Sequence, residues 1–334
     1  MASEKSLVDA PNVMDLGVKK WPGVNYGKHP AYGREFGRPG LMRRARALKY
    51  FAPYFMSQMK DSIRSSRWKR PESDSASGSP YNTLLDDGIV GYAMSDSNLA
   101  ELRSLVKGPI DDLLEGKSKI DPSKRKFRDN NSYLTLEEHT GIYELVERIL
   151  VSSGLKDAAS RYMGIPQKMA MVNLMAYDAQ ETHWQNMFDD TEVPDPPTTY
   201  WHMDSARRRT KVLIYLNEVT DKNGPFHFVK GSHRLAMGPI EYMVRTANDK
   251  SRLDKTDRDH RELFHALPGY LQKKTEIGND LSGDDSEVKK LLDAEVKVTT
   301  ADGNMILFDT DGIHRGGMVE EGERYILQVP LDNA

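Results

Sequence analysis

Short strand-like segments fill the second half of this 334-residue chain and limit what it can fold into. From about residue 168 onward the segments are MAMVNLMAY, TTYWHMDS, KVLIYLNEV, GPFHFVKGS, EVKVTT, NMILFDT and RYILQVPL. They are rich in β-branched and aromatic residues and are separated by turns that contain Gly, Asn or Asp, which is typical of strands. Short strands with few helices between them predict an antiparallel barrel or a double-sheet jelly roll.

The first half of the chain carries helical patterns instead. Residues 41–66 have apolar residues at helical spacing, with a kink or a break expected at Pro53. A short strand in LLDDGIVGYAMS precedes a helix capped by Asp96 or Ser97, and residues 136–161 form another amphipathic helix. We therefore expect a mostly β protein with flanking helices, an α+β fold.

A linker divides the chain into two predicted parts. Residues 71–80, PESDSASGSP, have the composition of a flexible linker. We expect an N-terminal extension at 1–79 and a compact domain at 80–334, with a charged insertion at about 241–292 as a candidate lid over the barrel mouth.

Charge is distributed unevenly between these parts. Residues 1–80 have a net charge of +8 and the remainder a net charge of −11. We expect the basic extension to pack on the acidic body of its own chain or of a second copy, so a homo-oligomer through the extension stays open. No recognised nucleic-acid motif accompanies the basic residues, and we expect neither a nucleic-acid nor a membrane partner.

The absence of cysteine excludes several kinds of chemistry. A disulfide framework, a thiolate zinc site, an all-cysteine iron–sulfur cluster and a cysteine nucleophile all need this residue. The sequence has no apolar run of transmembrane length and no apolar core of a signal peptide near its start. We expect a cytoplasmic protein whose chemistry uses His, Asp, Glu, Arg or a metal.

One strand-like segment carries two residues of metal-ligand type. His202 and Asp204 stand two positions apart in TTYWHMDS, and side chains at i and i+2 project from the same face of a strand. Both would point inward if Trp201 and Met203 face outward. The pair alone is a weak signal, because H-x-D often arises by chance, so a third ligand has to come from another strand.

His314 is the predicted third ligand. It follows GNMILFDTDGI, a strand that runs into a turn, where inward residues approach the mouth of a barrel. Two histidines and one carboxylate on one face of a metal leave adjacent positions open, as in the facial triad of non-haem Fe(II) oxygenases. Two open positions suit a chelating keto acid and one suits O₂.

Arg324 follows ten residues after His314, at the start of RYILQVPL. Its permanently charged, fork-shaped guanidinium is a natural bidentate partner for a carboxylate. We expect it to hold the far carboxylate of 2-oxoglutarate while the 2-oxo acid end chelates iron. The alternative is an ordinary salt bridge with Glu320, Glu321 or Glu323.

On these residues, 80–334 resembles the phytanoyl-CoA dioxygenase family of Fe(II)/2-oxoglutarate oxygenases. The resemblance runs from LLDDGIVGYAMSDSNLAELRSLV through YWHMD, LIYLNEVTDKNGPFHFVKGSHR and GNMILFDTDGIHRGG to Arg324. It implies a double-stranded β-helix, a cupin-like jelly roll, backed by helices. It also implies that His202, Asp204 and His314 bind Fe(II) and that Arg324 binds 2-oxoglutarate.

The resemblance implies further cosubstrate contacts from the strands before and after the H-x-D pair. The matching residues are Asn173 or Tyr177 on the first strand and Tyr215 on the second. The chain departs from the family at Lys230, where the family usually has Pro before the GSH turn. It also has YDA from Tyr177 where some members carry a cosubstrate lysine followed by Pro-Gly.

Substrate contacts are predicted near the rim of this site. Arg207, Arg208 and Arg209 closely follow Asp204. They form either a solvated face, which is the commoner reading of a charge run, or a site that orients a carboxylate or phosphate of the substrate. His183 lies just before the H-x-D segment, near the expected entrance for substrate.

The sequence thus predicts an Fe(II)- and 2-oxoglutarate-dependent dioxygenase. The expected reaction is hydroxylation of an unactivated C–H bond in a small, polar metabolite, with release of succinate and CO₂. If the arginines after Asp204 bind the substrate, this metabolite is anionic. Asp204 disfavours halogenation, because related halogenases replace this carboxylate to make room for chloride. Desaturation, epoxidation and cyclisation stay open, as do a zinc-type cupin-like enzyme and a non-catalytic binding protein.

Overall fold

The computed structural model describes residues 5–17, 38–64, 78–125, 127–179, 202–204, 209–234, 240, 243–244, 246–247, 262–264, 266–271 and 286–334. Within them, two antiparallel sheets pack face to face. Helices cover the outer face of the larger sheet, and N-terminal chain covers the outer face of the smaller one. This is the predicted architecture, a jelly-roll core with flanking helices.

The strands of the described residues are β1 (Ile89–Tyr92), β2 (Asn131–Leu134), β3 (Gln167–Met169), β4 (Val172–Asp178), β5 (Thr210–Tyr215), β6 (Phe226–Val229), β7 (Glu295–Val298), β8 (Met305–Asp309), β9 (His314–Gly316) and β10 (Glu323–Asn333). The larger sheet has the order β1-β8-β5-β10-β4-β2, with β3 paired to β10, and the smaller sheet has the order β7-β6-β9. Strands distant in sequence therefore become neighbours around one interior.

Side chains of the larger sheet alternate between two cores, as the two-residue period of a strand requires. On β5, Val212 and Ile214 pack against the helices, whereas Leu213 and Tyr215 face the space between the sheets. Phe226 on β6 belongs to the same inter-sheet core, so the two sheets share one apolar interior. The site described below opens into this interior.

The α-helices whose bounds the structure describes are α1 (Leu41–Arg64), α2 (Pro80–Asp87), α3 (Asp96–Ser118), α4 (Thr140–Ser152), α5 (Leu155–Met163) and α6 (Ser286–Asp293). Of the kink or break expected at Pro53, the break is wrong, because α1 continues through this residue and buries Phe51 completely, and the kink stays a prediction. The single helix expected at 136–161 is also wrong, since Gly154, at φ 75°, separates α4 from α5. The cap of α3 is Ser95, whose side chain accepts a hydrogen bond from the Asn98 amide.

Residues of the N-terminal extension pack directly on the smaller sheet. Val13 and Phe51 are fully buried in a cluster that contains Met203 and Ile313, which are neighbours of the three predicted metal ligands in sequence. The Val13 amide donates to the Lys230 carbonyl at 2.8 Å. The division at residue 80 stays a prediction, but residues on both sides of it build this cluster.

Lys230, the departure from the family, anchors this N-terminal segment. Its ammonium donates to the Leu7 carbonyl at 3.0 Å and lies 3.1 Å from the Asp87 carboxylate. Its amide donates to the Ala294 carbonyl, a bond that the usual Pro could not make. The contacts of Lys230 therefore tie this turn to the N-terminal extension.

Ion pairs link the basic N-terminal residues to acidic residues of the body. Arg43 lies 3.3 Å from Glu262, and Lys5 lies 3.9 Å from Asp293. This is the expected packing of the extension on its own chain, and assembly of several copies stays a prediction. Among the helices that the structure describes, none is both long and apolar enough to cross a bilayer.

Candidate metal and cosubstrate site

The two predicted histidine ligands are neighbours across a short antiparallel bridge. The His202 amide donates to the His314 carbonyl and the His314 amide donates to the His202 carbonyl, both at 2.8 Å. The centres of the two imidazole rings lie 4.5 Å apart. Residue 202 thus extends the smaller sheet beside β9, which places both rings on the same side of the backbone pair.

Asp204 completes the cluster from two residues further along. Its amide donates to the Thr310 carbonyl at 3.0 Å, so one end of the segment 202–204 is tied to His314 and the other end to the turn before it. One possible ligand atom from each of His202, Asp204 and His314 lies within 4.8 Å of the others. Since nitrogen and carboxylate ligands bind such metals at about 2 Å, these distances fit a single ion.

The turn between β8 and His314 depends on a glycine. A Cβ atom at Gly312 would lie 2.1 Å from the Phe228 ring, so the turn cannot accept a larger residue without repacking. The Gly312 carbonyl accepts a hydrogen bond from Nδ1 of His314 at 2.9 Å. This bond selects the tautomer with the proton on Nδ1 and leaves the Nε2 lone pair for a metal.

Lys211, which belongs to none of the sequence motifs, also joins the cluster. Its ammonium donates to Oδ2 of Asp204 at 2.5 Å. Burial by itself raises the pKa of the Asp204 carboxyl, but Lys211, His314 and His202 together hold that pKa well below its usual value of 3.8. Position 211 shares a strand face with Leu213, and this alternation was the signal that could have revealed it.

The three predicted ligands line a cavity of about 240 Å³ between the two sheets. The residues that share its wall with the cluster are Met175, Tyr177, Lys211, Leu213, Phe226, Phe308, Gly316, Arg324, Ile326 and Gln328. Most of this wall is apolar, and its charged side chains are those of Asp204, Lys211 and Arg324.

Arg324 is buried on β10 with its guanidinium in this cavity. It donates to the Gly317 carbonyl at 3.1 Å, and its Cζ lies 4.8 Å from the centre of the Tyr177 ring. Two of the glutamates in the salt-bridge alternative have other partners, since Glu321 pairs with Lys222 and Glu323 binds the Tyr325 hydroxyl. Arg324 and Tyr177 are thus placed as a pair on the cavity wall.

Tyr215 and Asn173 do not line the cavity. The Tyr215 hydroxyl donates to the Val298 carbonyl and accepts from the Phe226 amide, both at 2.8 Å, and burial raises its pKa to about 12. The Asn173 side chain donates to Asn131 at 3.1 Å. Both residues lie on the expected strands, but the Tyr215 hydroxyl and the Asn173 side-chain nitrogen have structural partners.

The predicted substrate contacts are placed only in part. Arg209 has its guanidinium 3.9 Å from Asp332 at the end of β10, and it does not line the cavity. His183, Arg207 and Arg208 lie outside the described residues, so their roles stay predictions.

A family model for phytanoyl-CoA dioxygenase (PhyH) matches residues 92–320, about two thirds of the chain. This chain belongs to the phytanoyl-CoA dioxygenase family. The match includes His202, Asp204 and His314 and ends four residues before Arg324. The protein is accordingly a non-haem iron, 2-oxoglutarate-dependent oxygenase of this family, and its cofactor and cosubstrates are Fe(II), 2-oxoglutarate and O₂.

Solved structures resemble the family member only distantly. EvdMO1 is 17% identical over 77% of this chain at a TM-score of 0.42, and the chain spans about half of it, 49%. AviO1 from Streptomyces viridochromogenes Tue57 is 14% identical, with 78% and 97% of the two chains covered and a TM-score of 0.40. EctD from S. alaskensis, solved with 2-oxoglutarate and 5-hydroxyectoine, is 15% identical, with 79% and 80% covered and a TM-score of 0.44. No curated protein matches the sequence.

Proposed function

We propose that this phytanoyl-CoA dioxygenase family member hydroxylates an unactivated C–H bond of a small, polar substrate that carries an anionic group, and releases succinate and CO₂. The observation that carries the proposal is the convergence of His202, Asp204 and His314 on one cavity that also holds Arg324. The described geometry therefore provides for both a metal and a dicarboxylic cosubstrate.

In this proposal His202, Asp204 and His314 hold Fe(II), with Nε2 of His314 as its ligand atom. When bound, the iron supplies the oxidising chemistry that couples decarboxylation of 2-oxoglutarate to oxygen insertion. The Gly312 carbonyl orients the His314 ring through Nδ1, and Phe308, 5.1 Å from that ring, keeps water from one side of it. Ligands held this way keep their geometry before the metal arrives.

Arg324 binds the far carboxylate of 2-oxoglutarate in this assignment. The Gly317 carbonyl and the Tyr177 ring hold its guanidinium in place, which lowers the entropy lost when the cosubstrate binds. Tyr177 is the supporting residue from the strand before the H-x-D pair. Tyr215 and Asn173 are left out, because neither residue lines the cavity.

The size and charge of the cavity support the substrate class. A volume of about 240 Å³ suits small molecules. Its described wall has two cationic side chains, Lys211 and Arg324, against the single carboxylate of Asp204. Because Arg324 is assigned to the cosubstrate, Lys211 is the cationic side chain of this wall that favours an anionic group on the substrate.

The direct test is a screen of metabolite fractions with the full chain, Fe(II), 2-oxoglutarate and O₂. A substrate should raise succinate release above the uncoupled background, and its product should gain one oxygen atom by mass spectrometry. A product that has lost two hydrogen atoms instead would show that the reaction is desaturation and not hydroxylation. Turnover that survives Asp204→Ala, or an equally active zinc form without 2-oxoglutarate, would reject the site.

A further inference from the structure

Lys211 is a largely buried lysine beside the predicted metal ligand Asp204. It is on the inward face of β5, its side chain is only 14% exposed, and its ammonium lies 2.5 Å from Oδ2 of Asp204. Burying an ammonium costs several kcal/mol unless it is paired. The pair with Asp204 provides that compensation, and it also neutralises a carboxylate that would otherwise be left alone among buried rings.

The carboxylate oxygen that binds Lys211 is the one that faces the histidine ligand. Oδ2 of Asp204 lies 3.7 Å from Nε2 of His314, while Nδ1 of His314 is occupied by the Gly312 carbonyl. With the carboxylate in this orientation, a metal bound between Nε2 and Asp204 would bind Oδ2. The ammonium group and the metal compete for the same oxygen.

The two cations cannot share this oxygen at low cost. A divalent ion about 2 Å from Oδ2 would lie within a few Å of the ammonium group, and like charges at such distances repel strongly away from bulk water. Lysine has a flexible four-carbon stem and a compact charge, so it can move away from Asp204 into the cavity. A rigid, bidentate arginine at this position could not leave so readily.

We propose that Lys211 is a built-in counter-ion that neutralises Asp204 in the metal-free site, and that Fe(II) binds by displacing its ammonium group from Oδ2. The inference rests on the proposed function in taking Asp204 as a metal ligand. Lys211 then stabilises the empty site at the expense of metal affinity. It is a positioning residue of the metal site.

The test compares metal affinity and apoprotein stability in Lys211→Met and Lys211→Gln, with Ni²⁺ as the oxygen-stable probe. Titration calorimetry should show Ni²⁺ binding that is roughly tenfold or more tighter in both variants, because no ammonium has to be displaced. The melting temperature of each metal-free variant should fall below that of the wild type. Lys297→Met is the matched control, since Lys297 pairs with Asp221 and does not line the cavity.

The Lys211 variants test the competition with the metal, and Asp204→Ala tests the metal site itself. Unchanged or weaker Ni²⁺ binding in both variants would show that Lys211 does not compete with the metal and would overturn the inference. Lys211→Gln keeps a hydrogen-bond donor to Asp204, so it provides the measurement if Lys211→Met fails to fold. Wild-type Ni²⁺ affinity in Asp204→Ala would instead overturn the proposed metal site itself.

Discussion

Asp204 combines burial with three nearby cationic or imidazole groups. Desolvation opposes its ionised form, yet Lys211, His314 and His202 lower its pKa well below the usual value. Charge pairing therefore outweighs burial in the metal-free protein. The carboxylate therefore stays ionised at neutral pH and can bind a cation.

This balance predicts the pH dependence of a substitution in the metal-free protein. A carboxyl with a depressed native pKa contributes stability above its unfolded pKa of about 4, and the contribution is lost as the pH falls through the native pKa. Asp204→Asn should lower the free energy of unfolding by about 1–3 kcal/mol at pH 7. The difference should shrink below about pH 4, as urea unfolding in EDTA would measure.

The exposed residue Asp112 offers a control for this experiment. Asp112→Asn should have little effect on the free energy of unfolding at any pH, because the side chain is solvated. A loss in Asp204→Asn that is the same at pH 7 and at pH 3.5 would contradict the charge pairing inferred here.

Replacing Arg324 should weaken the binding of 2-oxoglutarate. Arg324→Met should raise the apparent KM for 2-oxoglutarate about 10- to 100-fold, the effect of losing a charge-assisted hydrogen bond worth about 1.5–3 kcal/mol. Cosubstrate-dependent succinate release measures it. Arg148→Met removes an arginine that pairs with Glu101 on the helical surface, and it should leave the KM unchanged. An equal rise in both variants would argue against the assigned role.

The loop before β6 shows how elements support that arginine. Asn223 accepts hydrogen bonds from the amide and hydroxyl of Thr220, and its side chain donates to the Glu321 carbonyl at 2.7 Å. Gly224 follows with a φ of 71°, in the left-handed region. Asn223-Gly224-Pro225 therefore closes a loop against the segment that leads into β10. This loop also lies against the cradle of Arg324, which is the Gly317 carbonyl together with the Tyr177 ring.

A methyl group at Gly224 should disturb this cradle. Its Cβ would lie 2.5 Å from the Gly317 carbonyl oxygen and 2.8 Å from Nη1 of Arg324. Gly224→Ala should destabilise the protein by about 1–3 kcal/mol and raise the KM for 2-oxoglutarate. Thermal unfolding and succinate release measure the two effects.

Gly154 is a matched control for the backbone contribution. It has a similar φ of 75°, but a Cβ there would meet no atom within 4 Å. Gly154→Ala should cost about 1 kcal/mol of stability and leave the KM for 2-oxoglutarate unchanged. A KM that stays at the wild-type value in Gly224→Ala would show that Arg324 does not depend on this loop.

The N-terminal layer, formed by the buried residues Val13, Ala47 and Phe51, packs against residues that adjoin the predicted metal ligands. Val13 is fully buried in the cluster that contains Met203, between two predicted ligands, and Ile313, next to the third. The segment lies outside the part of the chain that matches the family, residues 92–320. This packing explains how an extension beyond the family match becomes part of the oxygenase.

A charge introduced into this layer should affect both stability and metal binding. Val13→Asp should lower the free energy of unfolding by about 3 kcal/mol or more, because it buries an unpaired carboxylate. It should also weaken Ni²⁺ binding, since Met203 and Ile313 lose their packing partner. Val8 is 86% exposed, so Val8→Asp is the control and should change neither quantity. Ni²⁺ affinity unaffected by Val13→Asp would separate the layer from the site.

Local periodicity explains which site residues could be predicted. His202 and Asp204 follow from the two-residue alternation of a strand, and His314 from its place after a strand and turn. The same rule points Tyr215 inward but does not say that the Val298 carbonyl takes its hydroxyl. Arg209 likewise pairs with Asp332, which is more than one hundred residues away.

Residue types and short spacings were enough to predict the strand-rich class and the family, and to propose a site of two histidines, one aspartate and one arginine. Those properties depend on residue types and short spacings, which are local. Only the tertiary structure decided that Lys211 takes the carboxylate of Asp204 and that Val13 packs behind the ligands. Both contacts depend on which strand faces and distant segments meet, and strand pairing across the whole chain sets that.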